Sequence, residues 1–437
     1  MHGEDDLIKH PPVIMFLAKA FQTDPRPRQE AKSLVEANYS VFVLAWDRER
    51  AFRPVEYVDG ATVYSIGQVD LRRFSSVGLV LGDIIFQILI LLGTVRLVSH
   101  LGQRPIIHAH DFNTLLPGCL LRMCHLSVGL VYDSHELTYA IYSDFFGTAV
   151  GYIIRCVEQL CLRYVDTIIT VSPPFAQYLC RSGRPTEVIY NCPRMSDIPR
   201  TSKLETRREL GLPLNAFIVS YIGSITSIFA LDLLFAASCQ TNNRNVQFLV
   251  VGDGPLAPKL REMARRSRAR LNILSHVPHE KALRYVFASD LTWALYQSQS
   301  INARMTIAWK FFESLACGTP VLVGSDTFCA SLVQHFKCGV VLNCDDANHI
   351  AEVILSVADD LDRHSQMCSG TRSAVRQMNC TWEAMSAKLV DIYRNLSGSR
   401  TTLVGGVKTG GRWRSWSMTA LLIGESAFPR KPWPPSI

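Results

Sequence analysis

Several absences narrow what this chain can be. Its 13 cysteines lie singly, with no Cys-x-x-Cys pair. An odd, scattered set argues against a disulfide framework or a thiolate metal site. It fits reduced thiols used as small core residues in a cytoplasmic protein. There is no long basic run and no nucleic-acid-reading module. The net charge of +7 therefore points to an anionic small ligand or an anionic membrane surface, not to a nucleic-acid groove. Met1–Lys9 carries acidic residues and no apolar h-region, so secretion is not expected, and the Asn-x-Ser/Thr triplets at Asn38, Asn379 and Asn395 carry no weight. No uncharged apolar run is long enough to span a bilayer. The most apolar segment, Val77–Val98, is broken by Asp83 and Arg96, and its longest charge-free stretch, Ile84–Val95, has 12 residues, against the roughly 20 a spanning helix needs. Two readings remain for it: plain packing in the core or on a domain surface, or an interfacial helix touching a membrane.

What is present is an apolar-rich globular chain. Its 437 residues, 48% hydrophobic and 19% charged, exceed one ordinary domain and suit two. Short apolar strands alternate with amphipathic helices, the pattern of parallel sheets covered on both faces. The first half places strands at Val13–Leu17, Val41–Ala45, Thr62–Ile66, Ile106–Ala109, Gly129–Tyr132, Thr167–Val171 and Glu187–Tyr190. The second places them at Phe217–Ile222, Val246–Val251, Asn272–Leu274, Leu291–Leu295, Pro320–Val323 and Gly339–Leu342. Cys192–Glu209, rich in proline and charge, reads as a linker. The tail after Ser397 turns to Gly, Ser, Arg and Trp and is expected to be poorly ordered.

The most informative stretch runs from Lys310 to Val323. Lys310 and Glu313 are spaced to share a helix face, near a helix N-terminus that favours anions. A Gly318-Thr319-Pro320 turn and a buried strand follow. A carboxylate there can accept from two vicinal hydroxyls, as on a ribose, while the ammonium meets phosphate. The plainer reading is a surface ion pair on an ordinary helix–strand unit. Elsewhere, His108 and His110 alternate along a strand and so face one side, followed by Asp111. His135 and Glu136 follow the strand that ends near Tyr132. With Asp133, these histidines could instead form a metallohydrolase centre of His108, His110, Asp133 and His135. Gly252-Asp253-Gly254-Pro255 lacks the third glycine of a dinucleotide fingerprint, and a tight turn and a nucleotide contact remain equal readings of it.

Taken in order, Asp24-Pro25-Arg26, His108-Ala109-His110-Asp111, Asp133-Ser134-His135-Glu136, Tyr190-Asn191-Cys192-Pro193, Gly223-Ser224, Gly252-Asp253-Gly254-Pro255 and Lys310…Glu313 resemble the family 4 (group 1) glycosyltransferases, as found in bacterial exopolysaccharide and capsule synthesis. The resemblance covers roughly residues 12–396. It implies an α/β protein of GT-B fold: two Rossmann-like domains whose parallel sheets face each other across a cleft. Residues 1–191 would form the acceptor domain, 192–210 the linker and 211–381 the nucleotide-sugar domain. Residues 382–396 would cross back to the first domain, leaving 397–437 as a basic tail. It implies a retaining, metal-independent transferase with no cofactor, moving a sugar from a nucleoside-diphosphate donor to a polysaccharide or lipid-linked acceptor. The expected location is cytoplasmic, with peripheral contact at the inner face of the cell membrane. By the same resemblance His135 and Glu136 serve catalysis, and Gly223, Ser224, Gly252, Asp253, Gly254, Arg304, Lys310 and Glu313 bind the donor. Asp24, Arg26 and His110 belong to the acceptor side and its first loop.

The chain also departs from that pattern. Met305 stands where a glutamate is common. Ser224 and Phe229 stand where two cations usually meet the diphosphate, and Ala230 where glycine is usual. Arg304 and Lys310 are expected to replace the lost cations. A catalytically degenerate scaffold or partner subunit is the alternative.

Overall fold

The computed structural model describes residues 10–67, 76–241, 245–267, 269–296, 300–342 and 346–398. The acidic segment Met1–Lys9 and the tail from residue 399 lie outside them.

Two sheets carry the fold. The first contains β1 (Val13–Leu17), β2 (Val41–Trp46), β3 (Val55–Val58), β4 (Ala61–Ile66), β5 (Ile106–His110), β6 (Gly129–Ser134), β7 (Thr167–Thr170) and β8 (Thr186–Val188), in the order β3-β4-β2-β1-β5-β6-β7-β8. The second contains β9 (Phe217–Ile222), β10 (Val246–Val251), β11 (Leu271–Leu274), β12 (Leu291–Trp293), β13 (Val321–Gly324) and β14 (Gly339–Leu342), in the order β11-β10-β9-β12-β13-β14. Every pairing is parallel except β3 with β4. The central strands are apolar throughout, because helices cover both faces: β1 reads Val-Ile-Met-Phe-Leu and is buried along its whole length. In each sheet the chain order reverses beside the first strand, between β1 and β5 and between β9 and β12. Ligands of such sheets bind at the carboxyl ends of the strands flanking that reversal.

The edge strand β3 escaped the reading from sequence. It joins β4 through Asp59-Gly60, both at positive φ (51° and 87°), the tight hairpin turn that an Asp-Gly pair favours. Val55 and Tyr57 stay exposed on this edge, so no buried apolar run marked it. Lys203–Glu209, inside the expected linker, is a short helix belonging to the second sheet: its Arg207 is buried and donates to Asp290 and to the Ala288 carbonyl.

The last helix, Trp382–Gly398, packs on the first half of the chain. Trp382 Nε1 donates to Ser33 Oγ at 3.0 Å, and Tyr393 Oη lies 2.7 Å from His108 Nδ1. One hydrophobic core accordingly runs from Val13 and Val43 through Ile189, Cys192 and Trp382 to Phe311, Phe312 and Val321. The apolar segment read at Val77–Val98 is a helix, Ser76–Leu101, whose Phe86 and Ile90 are fully buried on the other face of the first sheet.

Candidate active site

The first wall of the site is built by the helix Pro25–Glu36 and the ends of β5 and β6. Asp24 caps that helix, accepting from the Arg26 N–H, and Pro25 occupies the first turn, where its missing N–H costs nothing. Arg26 and Glu30 then fall one turn apart on the inward face. Arg26 is 3% exposed and grips Asp133 with two parallel bonds, Nε–Oδ2 at 3.0 Å and Nη2–Oδ1 at 2.9 Å. Its remaining nitrogen donates to the Ile189 carbonyl and to Asn191 Oδ1, both at 2.8 Å. The Asp-Pro-Arg and Tyr-Asn-Cys-Pro stretches are thus two ends of one buried strut.

Asp133 in turn orients His135, whose Nε2 lies 2.8 Å from Asp133 Oδ2. Asp111 Oδ1 accepts the His135 N–H at 3.0 Å, and its other oxygen lies 3.5 Å from His135 Nδ1. Asp111 adopts φ 61°, a strained conformation for a non-glycine residue, of the kind that collects at functional sites. Burial by itself would depress the His135 pKa. Asp111 and Asp133 outweigh it and lift the value to about 9, so the imidazolium persists at neutral pH. Asp133 is likewise buried, which opposes ionisation, yet Arg26 and His135 hold it well below the ordinary carboxylate range. Glu136, next along the loop, is exposed at the cleft mouth.

His108 and His110 do share one side of β5, and their rings stack at 4.1 Å. Glu30, His108, His110 and Asp133 bring four ligand atoms within 4.8 Å of one another. Glu30 takes the place that the metallohydrolase reading gave to His135. The donor set is chemically suitable for a metal, but its surroundings do not suit a hydrolase. Arg26 already supplies the cation, with Nε 3.0 Å from Glu30 Oε1, and all four residues are at most 2% exposed, which leaves no open position for a substrate. Arg26 and His110, expected on the acceptor side, are enclosed behind the cleft wall and reach it only through Asp133 and His135. Asp24 is tied to Lys19 at 2.8 Å.

The second wall is the loop after β9, the loop after β10 and the helix Trp309–Ala316. Gly252 is required by close approach: a Cβ there would lie 2.0 Å from the Gly223 carbonyl oxygen. Gly254 meets Ile225 in the same way, at 2.5 Å. Asp253 points sideways, accepting from Arg261 at 2.6 Å and from the His276 N–H at 2.8 Å, contacts that depress its pKa. It fixes the loops around the site. Lys310 extends toward Gly223, where an added Cβ would sit 3.4 Å from its Nζ. Its ammonium rests 3.1 Å from the Phe229 ring centroid and 4.5 Å from that of Tyr221. Burial drops the Lys310 pKa to about 7, only partly opposed by Glu313. Glu313 is 7% exposed, and burial raises its pKa, opposed by His279 and Lys310. His279, whose Nδ1 is 3.4 Å from Glu313 Oε1, is a site residue the sequence did not announce.

One expectation takes a different form in the structure. Arg304 is half exposed and faces Asp326 at 3.4 Å instead of joining Lys310. Phe229, in a position usually cationic, carries Lys310 on its ring. Ala230 takes the left-handed conformation (φ 44°, ψ 42°) that its usual glycine would adopt freely. Met305 is partly buried against the core of the first half, and its carbonyl accepts from Ser172 Oγ at 2.7 Å. Beside it, Asn302 Oδ1 accepts the Leu137 N–H at 2.8 Å. The short helix Ile301–Met305 therefore closes the cleft next to His135.

The family model described as "Glycosyl transferases group 1" matches residues 216–360, and the "Glycosyl transferase 4-like domain" model matches residues 24–192. A D-inositol 3-phosphate glycosyltransferase of Thermobispora bispora is 28% identical over 209 residues, covering 44% of this chain and 46% of that protein. A GDP-mannose-dependent alpha-(1-6)-phosphatidylinositol monomannoside mannosyltransferase of Mycobacterium tuberculosis is 26% identical over 162 residues, covering 35% and 40%. The chain thus spans less than half the length of these curated relatives. Among solved structures, sucrose-phosphate synthase from Thermosynechococcus elongatus superposes with a TM-score of 0.72 at 19% identity, over 88% of this chain and 99% of that one. Anabaena HepE in complex with UDP and glucose gives 0.65 at 15%, over 88% and 100%. At such identities the likeness establishes the fold, GT-B.

Proposed function

The chain belongs to the group 1, family-4-like glycosyltransferases, and from that premise we propose that it transfers a sugar, with retention of configuration, from a nucleoside-diphosphate donor to a carbohydrate or lipid-linked acceptor. The observation that carries this reading is the placement of Lys310 against the Gly223 loop with Glu313 one turn further along the same helix. A diphosphate laid over the Gly223–Ser224 and Gly252–Gly254 loops would meet the Lys310 ammonium, and a ribose would reach the Glu313 carboxylate. Across the cleft, the His135 imidazolium would sit beside the sugar, with Glu136 toward the acceptor. Retaining transfer depends on positioning and on stabilising the departing diphosphate, which cations and dipoles supply without a metal. The relative from Mycobacterium tuberculosis is named as GDP-mannose-dependent, and HepE was crystallised with UDP, which supports a nucleoside-diphosphate donor. Every cysteine among the described residues is a free thiol, in keeping with work in the cytoplasm.

Thermal unfolding with a panel of UDP- and GDP-sugars tests donor binding, since a bound ligand stabilises by mass action. For a donor that binds, proton NMR of the anomeric centre reads retention directly. Inversion would overturn the proposed mechanism. Failure of every donor both to stabilise and to react would leave the degenerate scaffold as the reading.

A further inference from the structure

The helices over the outer face of the first sheet leave a surface the transfer reaction does not use. On the Ser76–Leu101 helix, Phe86, Ile90 and Leu97 turn into the core, and Phe86 stacks on Trp46 at 4.8 Å. The opposite face carries Leu81, Ile84, Ile88, Leu92 and Val95, which are 44–63% exposed. Their spacing of three and four residues makes them one stripe. Leu81–Leu101 has a mean hydropathy of 2.0, and only 28% of its most apolar window is buried. A core helix of that composition would be mostly covered.

The stripe does not stand alone. The next helix, Phe112–Met123, exposes Leu120. It contacts Thr148–Cys161, which exposes Ile153, and that helix packs on Thr138–Phe146, which exposes Phe146. The four helices form one apolar layer. Its exposed charges are mostly positive: Arg96, Arg104, Arg155 and Arg163 are exposed. Among the described residues 76–164 the exposed acids are Asp144 and the cleft residue Glu136. Asp83 is half-buried and holds Gln87 and Asn113.

We propose that this layer rests on a lipid bilayer with anionic headgroups, with the Ser76–Leu101 helix lying in the interface plane. The helix cannot span, because leaving the sheet would expose Phe86, Ile90 and Leu97 and open the core. Lying flat instead buries the stripe among acyl chains and sets the arginines at headgroup level. The layer is too continuous for scattered surface apolar residues, and its excess of positive charge selects an anionic sheet over a neutral one.

The test uses the full chain in vesicle co-sedimentation, with phosphatidylcholine alone and phosphatidylcholine mixed with phosphatidylglycerol. The expected result is binding to the mixed vesicles, weakening as salt rises. The Ile88→Glu/Leu92→Glu double variant replaces two exposed residues, so its melting temperature should match the parent's. Its vesicle affinity should fall at least about tenfold. Arg96→Glu should weaken binding to the mixed vesicles alone. Equal binding by the double variant and the parent overturns the proposal, since the contact would lie elsewhere. So does failure to bind mixed vesicles at low salt. Sedimentation velocity covers the competing occupant: a dimer that the double variant makes monomeric, with vesicles ignored, would assign the face to a second copy of this chain.

Discussion

Lys310 and His135 are the two residues whose protonation differs most usefully from the ordinary. In the free protein Lys310 loses its charge near pH 7, while a donor diphosphate needs the charged form and would pull that pKa back up. Donor kcat/KM, which reports the free enzyme, should therefore be full below about 7 and decline above it. Lys310→Met should abolish that limb. His135 is raised from 6.5 to about 9, so its imidazolium supports the fold fully below 6.5 and is lost as pH rises through about 9. Under saturating donor, kcat should fall only on that second, more alkaline limb. A kcat profile that is flat across it, together with a His135→Gln variant of parental kcat, would remove His135 from the reaction. Arg304 makes a smaller claim. Half exposed and facing Asp326, it should cost less than about tenfold in kcat/KM when changed to alanine, whereas Lys310→Ala should cost about 2 kcal/mol or more of transition-state stabilisation. Behind the cleft, Arg26→Met would take from the buried Asp133 its bidentate partner, leaving the His135 imidazolium to offset its charge. Urea unfolding should show a loss of about 3–5 kcal/mol, largely restored by adding Asp133→Asn.

Among the elements, two helices decide how the halves meet. Trp382–Gly398 starts from Trp382, which is fully buried, and ends against His108 through Tyr393. Trp382→Ala should cost about 3–5 kcal/mol from the cavity and the lost bond to Ser33. It should also speed proteolysis in the 192–210 segment, because the core there runs through Cys192 and Trp382. Unchanged cleavage would mean that the halves are held elsewhere. Ile301–Met305 has the other role. It touches Leu137 and Ser172 through Asn302 and Met305, so it couples closure of the cleft to the loop that carries His135. Asn302→Ala should raise KM for the donor more than it lowers kcat, since it removes a bond of the closed cleft and no reacting group. These elements were partly legible beforehand. The family resemblance marked 382–396 as the segment that crosses back, but its docking partners Ser33 and His108 are about 350 and 285 residues away, beyond any local pattern. The strand β3 was missed because an exposed edge strand shows no buried run, although Asp59-Gly60 signalled its turn.

At the scale of the whole molecule, one hydrophobic core passes from the first sheet to the second. Calorimetry should accordingly give one main unfolding transition for the parent, and Trp382→Ala should separate it into two. A donor nucleotide should raise the second of these more than the first, because Gly223, Lys310 and Glu313 all lie on the later half. What the sequence determined by itself is local and periodic. Buried apolar runs with helices between them dictate parallel sheets, Lys310 and Glu313 must share a helix face, and Gly252 and Gly254 stand where a strand gives way to a helix. What only the tertiary structure decided is pairing over long distances. Arg26 was expected near the acceptor and instead lies sealed against Asp133, 107 residues away. Glu30 joined the histidines, His279 came to Glu313, and Phe229 became the bed for Lys310. None of these has a sequence period, because each depends on which strand ends the two sheets bring side by side. The same holds for the apolar helix. Its composition left open both plain packing and a membrane contact, and only the packing of Phe86 and Ile90 inward settled which residues were left facing out.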